Sequence, residues 1–260
     1  MEKLTFSPII ANMYGFCAQT LVVEALQEIT DKIVAIPKKH KSQRGRIKQS
    51  KLDKLQSDGN LHVFNNLTAE EKLDISLQMA ESLAELHGYR GGLINHGDVW
   101  IDQWMVDGRT GRLILGDFNV AFFTQWNDET HEYCKFETTE TGSYTAPEEL
   151  TGGMSTEGCD MFSFGLALYS VLTGLYPMYD LGDDLEEEHR RFIDGELPYI
   201  DPRYRERSYI ESRLIDVMLE CWKYKPEDRI SIFDLVLFLR ETRNAHEQKT
   251  GRKLQAYQLS

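Results

Sequence analysis

Residues 94–119 read INHGDVWIDQWMVDGRTGRLILGDFN, and this segment carries the strongest evidence for the architecture of the chain. Two apolar runs, 104–106 and 113–115, flank a turn-forming segment rich in Asp, Gly and Thr, which predicts a β-hairpin. Asp98 lies in the polar loop before the hairpin, and Asp117 follows it directly. The two carboxylates are therefore predicted to lie at the ends of one small, rigid sheet.

Further motifs follow in a fixed order. After His96-Gly97-Asp98 come Asp117-Phe118-Asn119, Ala146-Pro147-Glu148, the run DMFSFG at 160–165, and Arg229. The series resembles the protein-kinase motifs H-R-D-x-x-x-x-N, D-F-G, A-P-E, D-x-W-S-x-G and a late arginine. The resemblance extends from about residue 8 to about residue 239. It implies an α+β, protein-kinase-like fold with a mostly helical large lobe and a remnant of the β-rich small lobe.

The resemblance implies separate roles for the two aspartates. Phosphoryl transfer requires positioning and charge neutralisation more than covalent chemistry. Asp98 is accordingly expected to be the catalytic residue that orients the acceptor hydroxyl, and Asp117 to bind Mg²⁺ in the presence of ATP. Gln103 stands where the family has a metal-binding asparagine, and its amide oxygen is the same ligand type, one methylene farther from the backbone. The resemblance therefore implies Gln103 as the second Mg²⁺ ligand.

Four more residues are expected, by resemblance, to have structural roles. Glu148 and Arg229 are predicted to form a buried ion pair in the large lobe. Asp160 is predicted to bind the backbone of the loop that carries Asp98. His96 is expected to be a packing and hydrogen-bonding anchor.

Three positions depart from the family pattern. Trp100 stands where serine/threonine kinases usually carry a lysine, so the marker that separates serine/threonine from tyrosine specificity is unreadable. Gly97 replaces an arginine that pairs with a phosphorylated segment in many members. Asn119 replaces the glycine of D-F-G, and asparagine is among the residues that tolerate left-handed backbone geometry.

Helical periodicity dominates the sequence after residue 67. Thr68 and Glu71 form an approximate capping box, which predicts a long helix ending near residues 87–88. An almost wholly apolar run predicts a buried central helix at 161–175. Further helices are predicted at 185–192, 208–222 and 230–243, the last preceded by a Pro226-Glu227-Asp228 start signal, and a polar, frayed tail at 244–260.

The beginning of the chain resembles the end of a kinase small lobe. Apolar runs at 9–17 and 20–26 predict a strand pair and hinge. By resemblance, the side chain that gates the adenine pocket is Val23, and the adenine contacts are backbone groups near Glu24, Ala25 and Leu26. The family's Gly-rich loop and V-A-I-K lysine are expected before this pair, where there is almost no chain. The run VAIPK at 34–38 follows the pair instead, and Pro37 argues against a central strand there.

The predicted organisation has four parts: a small-lobe remnant at 1–26, a basic flexible insertion at 27–66, the large lobe at 67–243 and the polar tail at 244–260. The basic residues concentrate at 38–54. A solvated insertion is favoured there over a nuclear-localisation or docking patch.

Composition narrows the choice of partners. The net charge of −13 argues against nucleic acid, and no apolar run is long enough to span a membrane. Four dispersed cysteines suggest neither a zinc site nor a disulfide framework. We therefore expect an intracellular protein, cytoplasmic rather than nuclear, whose partner is a protein; the oligomeric state is not predicted.

Two functions follow from the resemblance. The first is a protein kinase that uses ATP and Mg²⁺ to phosphorylate a protein hydroxyl. The alternative is a catalytically inactive pseudokinase that acts as a protein-interaction module. An unrelated helical binding protein would leave the ordered motifs as coincidence.

Overall fold

A computed structural model describes residues 4, 7–17, 20–34, 63–134, 136–137, 141–181 and 184–256. The basic run at 38–54 lies outside these residues. Among the described helices, none combines the length and the apolar character needed to cross a bilayer.

Helices make up most of the described large lobe. They are α1 Thr30–Ile33, α2 Ala69–His87, α3 Pro147–Leu150, α4 Glu157–Thr173, α5 Leu185–Ile193, α6 Tyr204–Arg207, α7 Tyr209–Cys221 and α8 Ile232–Thr250. Short 3₁₀ turns occur at Ile101–Gln103, Tyr179–Leu181 and Pro226–Asp228.

The strands are short and pair almost entirely in antiparallel fashion. They are β1 Met13–Cys17, β2 Thr20–Val23, β3 Gln27–Glu28, β4 Leu93–Asn95, β5 Trp104–Val106, β6 Leu113–Leu115, β7 Phe122–Thr124, β8 Trp126–Asn127, β9 Glu132–Tyr133, β10 Phe136–Glu137 and β11 Met154–Ser155. The pairs are β1 with β2, β3 with β5, β5 with β6, β4 with β7, β8 with β9, and β10 with β11. The β5–β6 hairpin and the strand pair β1–β2 were both predicted and are confirmed.

The β5–β6 hairpin is fixed between the two main helices. Trp104, fully buried at the start of β5, donates its indole Nε1–H to Ser82 Oγ in α2 at 2.8 Å. Its ring packs edge-on against Phe164 of α4, with 5.9 Å between ring centroids. The hairpin that follows the Asp98 loop is thereby anchored to the core.

Helix α2 begins where its capping box predicts. Thr68 Oγ1 accepts from the backbone N–H of Glu71, and the Glu71 carboxylate accepts from the backbone N–H of Thr68, which satisfies two donors that the first helical turn leaves free. The helix ends at His87, as predicted.

Helix α4 is the buried centre of the large lobe. Every residue from Gly158 to Thr173 is buried, as its continuous apolar run predicted. Gly165 allows α4 to approach the end of α7 closely, because a Cβ atom at this position would lie 2.6 Å from Trp222 Nε1 and 2.8 Å from Cys221 Cβ.

We expect the substitution Gly165→Ala to lower the free energy of unfolding by about 0.5–2 kcal/mol. Overpacking costs roughly 1–3 kcal/mol, and the better helix propensity of alanine returns about 0.5–1 kcal/mol. Urea denaturation measures the change. The control is Gly15→Ala, where a Cβ meets no atom within 4 Å; equal effects in both variants would contradict the close approach.

Both predicted boundaries of helix α8 differ from the structure, and the central helix α4 begins four residues earlier than predicted, at Glu157. Helix α8 starts at the Ser231 cap, since 226–228 form only a 3₁₀ turn, and it continues to Thr250, where Gly251 ends it with φ 68°. The frayed tail is therefore wrong for residues 244–250. Arg243 Nη2 donates to the carbonyl of Leu254 at 2.6 Å, and Glu247 accepts from the backbone N–H of Leu254 at 2.8 Å, which hold the end of the helix.

The described ends of the predicted insertion belong to the core. Strand β3 pairs with β5, and Ile33 in α1 is fully buried. On the other side, Asn65 donates its Nδ2 hydrogens to the carbonyl oxygens of Ile33 and Val171, at 3.0 and 2.9 Å. A flexible insertion therefore does not describe residues 27–34 and 63–66.

Candidate active site

The Asp98 loop, residues 96–103, is held by a buried carboxylate from helix α4. Asp160 accepts from the backbone N–H groups of His96 and Gly97, at 2.8 and 2.9 Å, and from Nε2–H of His87 at 2.9 Å. Burial alone raises the pKa of Asp160, but the hydrogen bond and charge of His87 and the bond from His96 outweigh it, so the pKa lies below its usual value. The loop is thus fixed by an ionised group of the core.

His96 connects the loop to the segment that carries Asp117. Its Nε2–H donates to the carbonyl of Gly116 at 2.9 Å, and its ring contacts Phe118 with 5.2 Å between ring centroids. The carbonyl accepts, so the proton of the ring lies on Nε2. This is the anchoring position that the sequence predicted for His96.

Asp98 is half-buried and hydrogen-bonded within its own loop. The buried Gln103 donates Nε2–H to Asp98 Oδ2 at 2.6 Å. Burial raises the pKa of Asp98, and the charge of Asp117 adds to this, while the bond from Gln103 opposes it. A carboxylate whose pKa is raised toward the working pH is a better proton acceptor.

Asp117 is exposed and has the backbone geometry that side chains rarely adopt. Its φ is +52°, in the left-handed region that is uncommon outside glycine. Asn119 was considered for a left-handed backbone conformation because asparagine tolerates it, but Asn119 is not among the described residues with positive φ. Backbone strain of this kind is typical of functional sites.

Gly97 has a structural reason to be glycine. Its φ is +76°, and a Cβ atom there would lie 3.0 Å from the carbonyl oxygen of Val120. A larger residue at this position would strain the backbone beside Asp98.

Glu148 and Arg229 form the predicted ion pair, and the guanidinium is fully engaged. Nη1 and Nη2 of Arg229 contact the two carboxylate oxygens of Glu148 at 2.6 and 2.8 Å. The other three N–H groups donate to backbone carbonyls of Gly158, Lys223 and Tyr224. The pair joins helix α3, which contains Glu148, to the segment just before α8, which contains Arg229.

A cleft of about 260 Å³ lies between the Asp98 loop and residues 141–145. Trp100 lines it and packs against Tyr144, with 6.1 Å between ring centroids. Asp98 and Glu137 also line the cleft, and no lysine or arginine is among its described lining residues. The indole thus occupies a position from which the family usually presents a cation.

The predicted adenine-site residues lie at the end of β2 and in the connection from β2 to β3. Val23 is 45% exposed at the end of β2. The backbone N–H of Glu24 donates to the carbonyl of Asn12 at 3.0 Å, and its carboxylate accepts from the backbone of Asn12 at 2.7 Å. Of the predicted contacts, the backbone N–H of Glu24 therefore already has a partner within the chain, and adenine binding by this segment stays a prediction. The segment before β1 reaches the site, because Ala11 N–H donates to the carbonyl of Leu115 at 2.8 Å, two residues before Asp117.

The donor set of the site suits Mg²⁺ in part. Asp117 offers an exposed carboxylate. Because the side-chain nitrogen of Gln103 donates to Asp98, the amide oxygen of Gln103 is the atom that could bind the metal. The described residues contain no cluster of three or more His, Cys, Asp or Glu side chains that could hold a metal ion. Mg²⁺ commonly takes one or two carboxylates together with phosphate oxygens, and Asp117 fits that mode.

One contact of the site was missed from the sequence. His87 was read only as the end of a helix, yet it supplies the third hydrogen bond to Asp160. A histidine in the last turn of a helix that leads into a motif loop is a weak signal for such a role.

Comparison with known proteins agrees with this geometry. The sequence matches the family model of the protein kinase domain over residues 50–237. The chain therefore belongs to the protein kinase domain family, and the predicted family and α+β kinase-like fold are confirmed.

Relatives come from plants, fungi and animals. The chain is 30% identical over 201 residues to "Receptor-like protein kinase 5" of Arabidopsis thaliana, covering 72% of this chain and 20% of the relative. It is 29% identical over 141 residues to "Serine/threonine protein kinase ypkA" of Aspergillus fumigatus, covering 53% and 21%. It is 28% identical over 166 residues to "Mitogen-activated protein kinase kinase kinase 7" of Drosophila melanogaster, covering 63% and 22%. The matched part is thus about a fifth of each relative.

Proposed function

We propose that this chain transfers the terminal phosphate of ATP to a hydroxyl group of a protein substrate. Asp98 orients the acceptor hydroxyl and takes its proton, while the acceptor oxygen bonds to phosphorus and the bond to the ADP oxygen breaks. Asp117 holds Mg²⁺, which neutralises charge on the phosphates.

The observation that carries this proposal is the fixed relation of the two aspartates. Asp160 holds the loop of Asp98, and His96 joins that loop to Gly116, the residue before Asp117. Burial raises the pKa of Asp98, and the nearby charge of Asp117 adds to this effect. Membership of the protein kinase domain family supports the same reaction class.

We expect Mg²⁺–ATP to raise the melting temperature of the protein by roughly 5–10 °C at a ligand concentration about 100 times Kd. The shift should require Mg²⁺ and disappear in Asp117→Ala. Asp128→Ala removes an exposed aspartate from the β8–β9 turn and serves as the matched control. A shift of the same size in Asp117→Ala would contradict the metal role.

A second candidate function is a non-catalytic protein-interaction module. It is favoured by one observation: the described lining of the cleft includes no lysine or arginine. The absence of any nucleotide-dependent shift in the wild-type protein would favour this candidate.

A further inference from the structure

We propose that a second cavity, lined by residues of both strands of the β4–β7 pair, binds a neutral, largely apolar small molecule with one N–H or O–H donor. This rear cavity has a volume of about 560 Å³ and is lined by β4, β7, the first turn of α4 and the start of α8. It shares only Ser155 with the lining of the Asp98 cleft. The inference does not depend on phosphate transfer.

The size and lining of the rear cavity suit such a ligand. Small-molecule sites are typically about 300–1,000 Å³ and are mostly apolar, with a few polar groups that fix orientation. Its apolar lining comes from Leu93, Trp126, Met161, Ile230, Ile232 and Phe233.

Asn95 gives the rear cavity one unsatisfied acceptor. Asn95 is among the residues that line the cavity, and it is only 1% exposed. Its Nδ2 donates to Thr124 Oγ1 at 2.9 Å, but its Oδ1 accepts no hydrogen bond from any residue that the structure describes. A buried acceptor without a donor costs free energy, and a ligand that supplies the donor recovers it.

The charges around the rear cavity disfavour an anion. His87 lines the cavity, but its Nε2–H is donated to Asp160. Arg229 lines it, but all five of its N–H groups already donate to Glu148 and to backbone carbonyls. Glu157 and Glu227, both exposed, also line it. An anionic ligand would meet two carboxylates and no available guanidinium hydrogen, so a neutral donor is favoured.

Two exposed thiols allow the binding site to be located. Cys134 lines the rear cavity, whereas Cys17 lies on β1 and does not. Cys159 and Cys221 are buried. A molecule bound in the rear cavity should therefore slow the alkylation of Cys134 without affecting Cys17.

The experiment uses the full chain and a matched pair of compounds, 4′-fluorobiphenyl-4-ol and its methyl ether, which lacks the donor. Fluorine NMR titration gives the two dissociation constants, and mass spectrometry follows iodoacetamide labelling of each thiol. We expect the phenol to bind about tenfold more tightly than the ether and to slow labelling of Cys134 alone.

The variant Asn95→Leu should remove the difference between phenol and ether. If that variant does not fold, the comparison of the two compounds on the wild-type protein still decides the matter. Equal binding of phenol and ether to the wild-type protein, or labelling of Cys134 that neither compound slows, would overturn the proposal. Loss of phosphate transfer or of the ATP-dependent shift would leave it intact.

Discussion

The substitution Asp98→Asn is expected to reduce phosphate transfer by about 10²–10⁴-fold, the usual contribution of a positioned general base. Asparagine keeps the size of the side chain, and its amide oxygen can still accept the hydrogen bond from Gln103. It cannot take the proton of the acceptor hydroxyl. The chemical step should therefore fail while the Asp98 loop keeps its shape.

Radiolabelled phosphate transfer from Mg²⁺–ATP to a general protein substrate measures this effect. The melting temperature and its shift with Mg²⁺–ATP should match those of the wild type, which separates loss of chemistry from loss of structure. Asp128→Asn makes the same exchange at an exposed position outside the loop and should keep full activity. An undiminished rate in Asp98→Asn would remove Asp98 from the reaction.

The substitution Arg229→Ala is expected to lower the free energy of unfolding by about 3–5 kcal/mol, the typical cost of breaking a buried ion pair. The arginine side chain is 0% exposed and its Glu148 partner only 16%. Removing it leaves the carboxylate without its cation and the carbonyls of Gly158, Lys223 and Tyr224 without these donors.

Chemical denaturation of Arg229→Ala, Glu148→Gln and the double variant tests this account. The double variant should lose less than the sum of the single changes, because the two residues interact directly. Arg190→Ala is the control: Arg190 is 53% exposed and pairs with Glu187 and Asp194 at the surface, where ion pairs contribute about 0–1 kcal/mol. Similar losses in Arg229→Ala and Arg190→Ala would contradict the special role of the buried pair.

Local patterns in the sequence predicted the elements that depend on neighbouring residues. The Thr68–Glu71 capping box needs only four consecutive positions, and the β5–β6 hairpin needs only its turn and flanking apolar runs. The motif series also identified Asp160 and Arg229, because their order along the chain matches the protein kinase family. The contacts of Asp160 and Arg229 are observed, while the catalytic role of Asp98 and the metal-binding role of Asp117 remain predictions.

The features that the sequence did not predict depend on distant parts of the chain. Nothing in the neighbouring sequence indicates the positive φ of Asp117. The bond from His87 to Asp160 joins residues 73 apart. The extension of α8 depends on Arg243 and Glu247 meeting Leu254, which the polar composition of the tail does not reveal. The rear cavity arises only where elements from distant parts of the chain meet.

The anchoring of the Asp98 loop by Asp160 also bears on how the site is assembled. The two backbone bonds join residues 64 and 63 positions apart, and contacts of such separation form only after a large loop has closed. A shorter polypeptide that ended before α4 would contain both Asp98 and Asp117. It would lack the Asp160 carboxylate that anchors the Asp98 loop. During synthesis, the candidate active site can therefore take shape only once the ribosome has released the chain beyond this central helix.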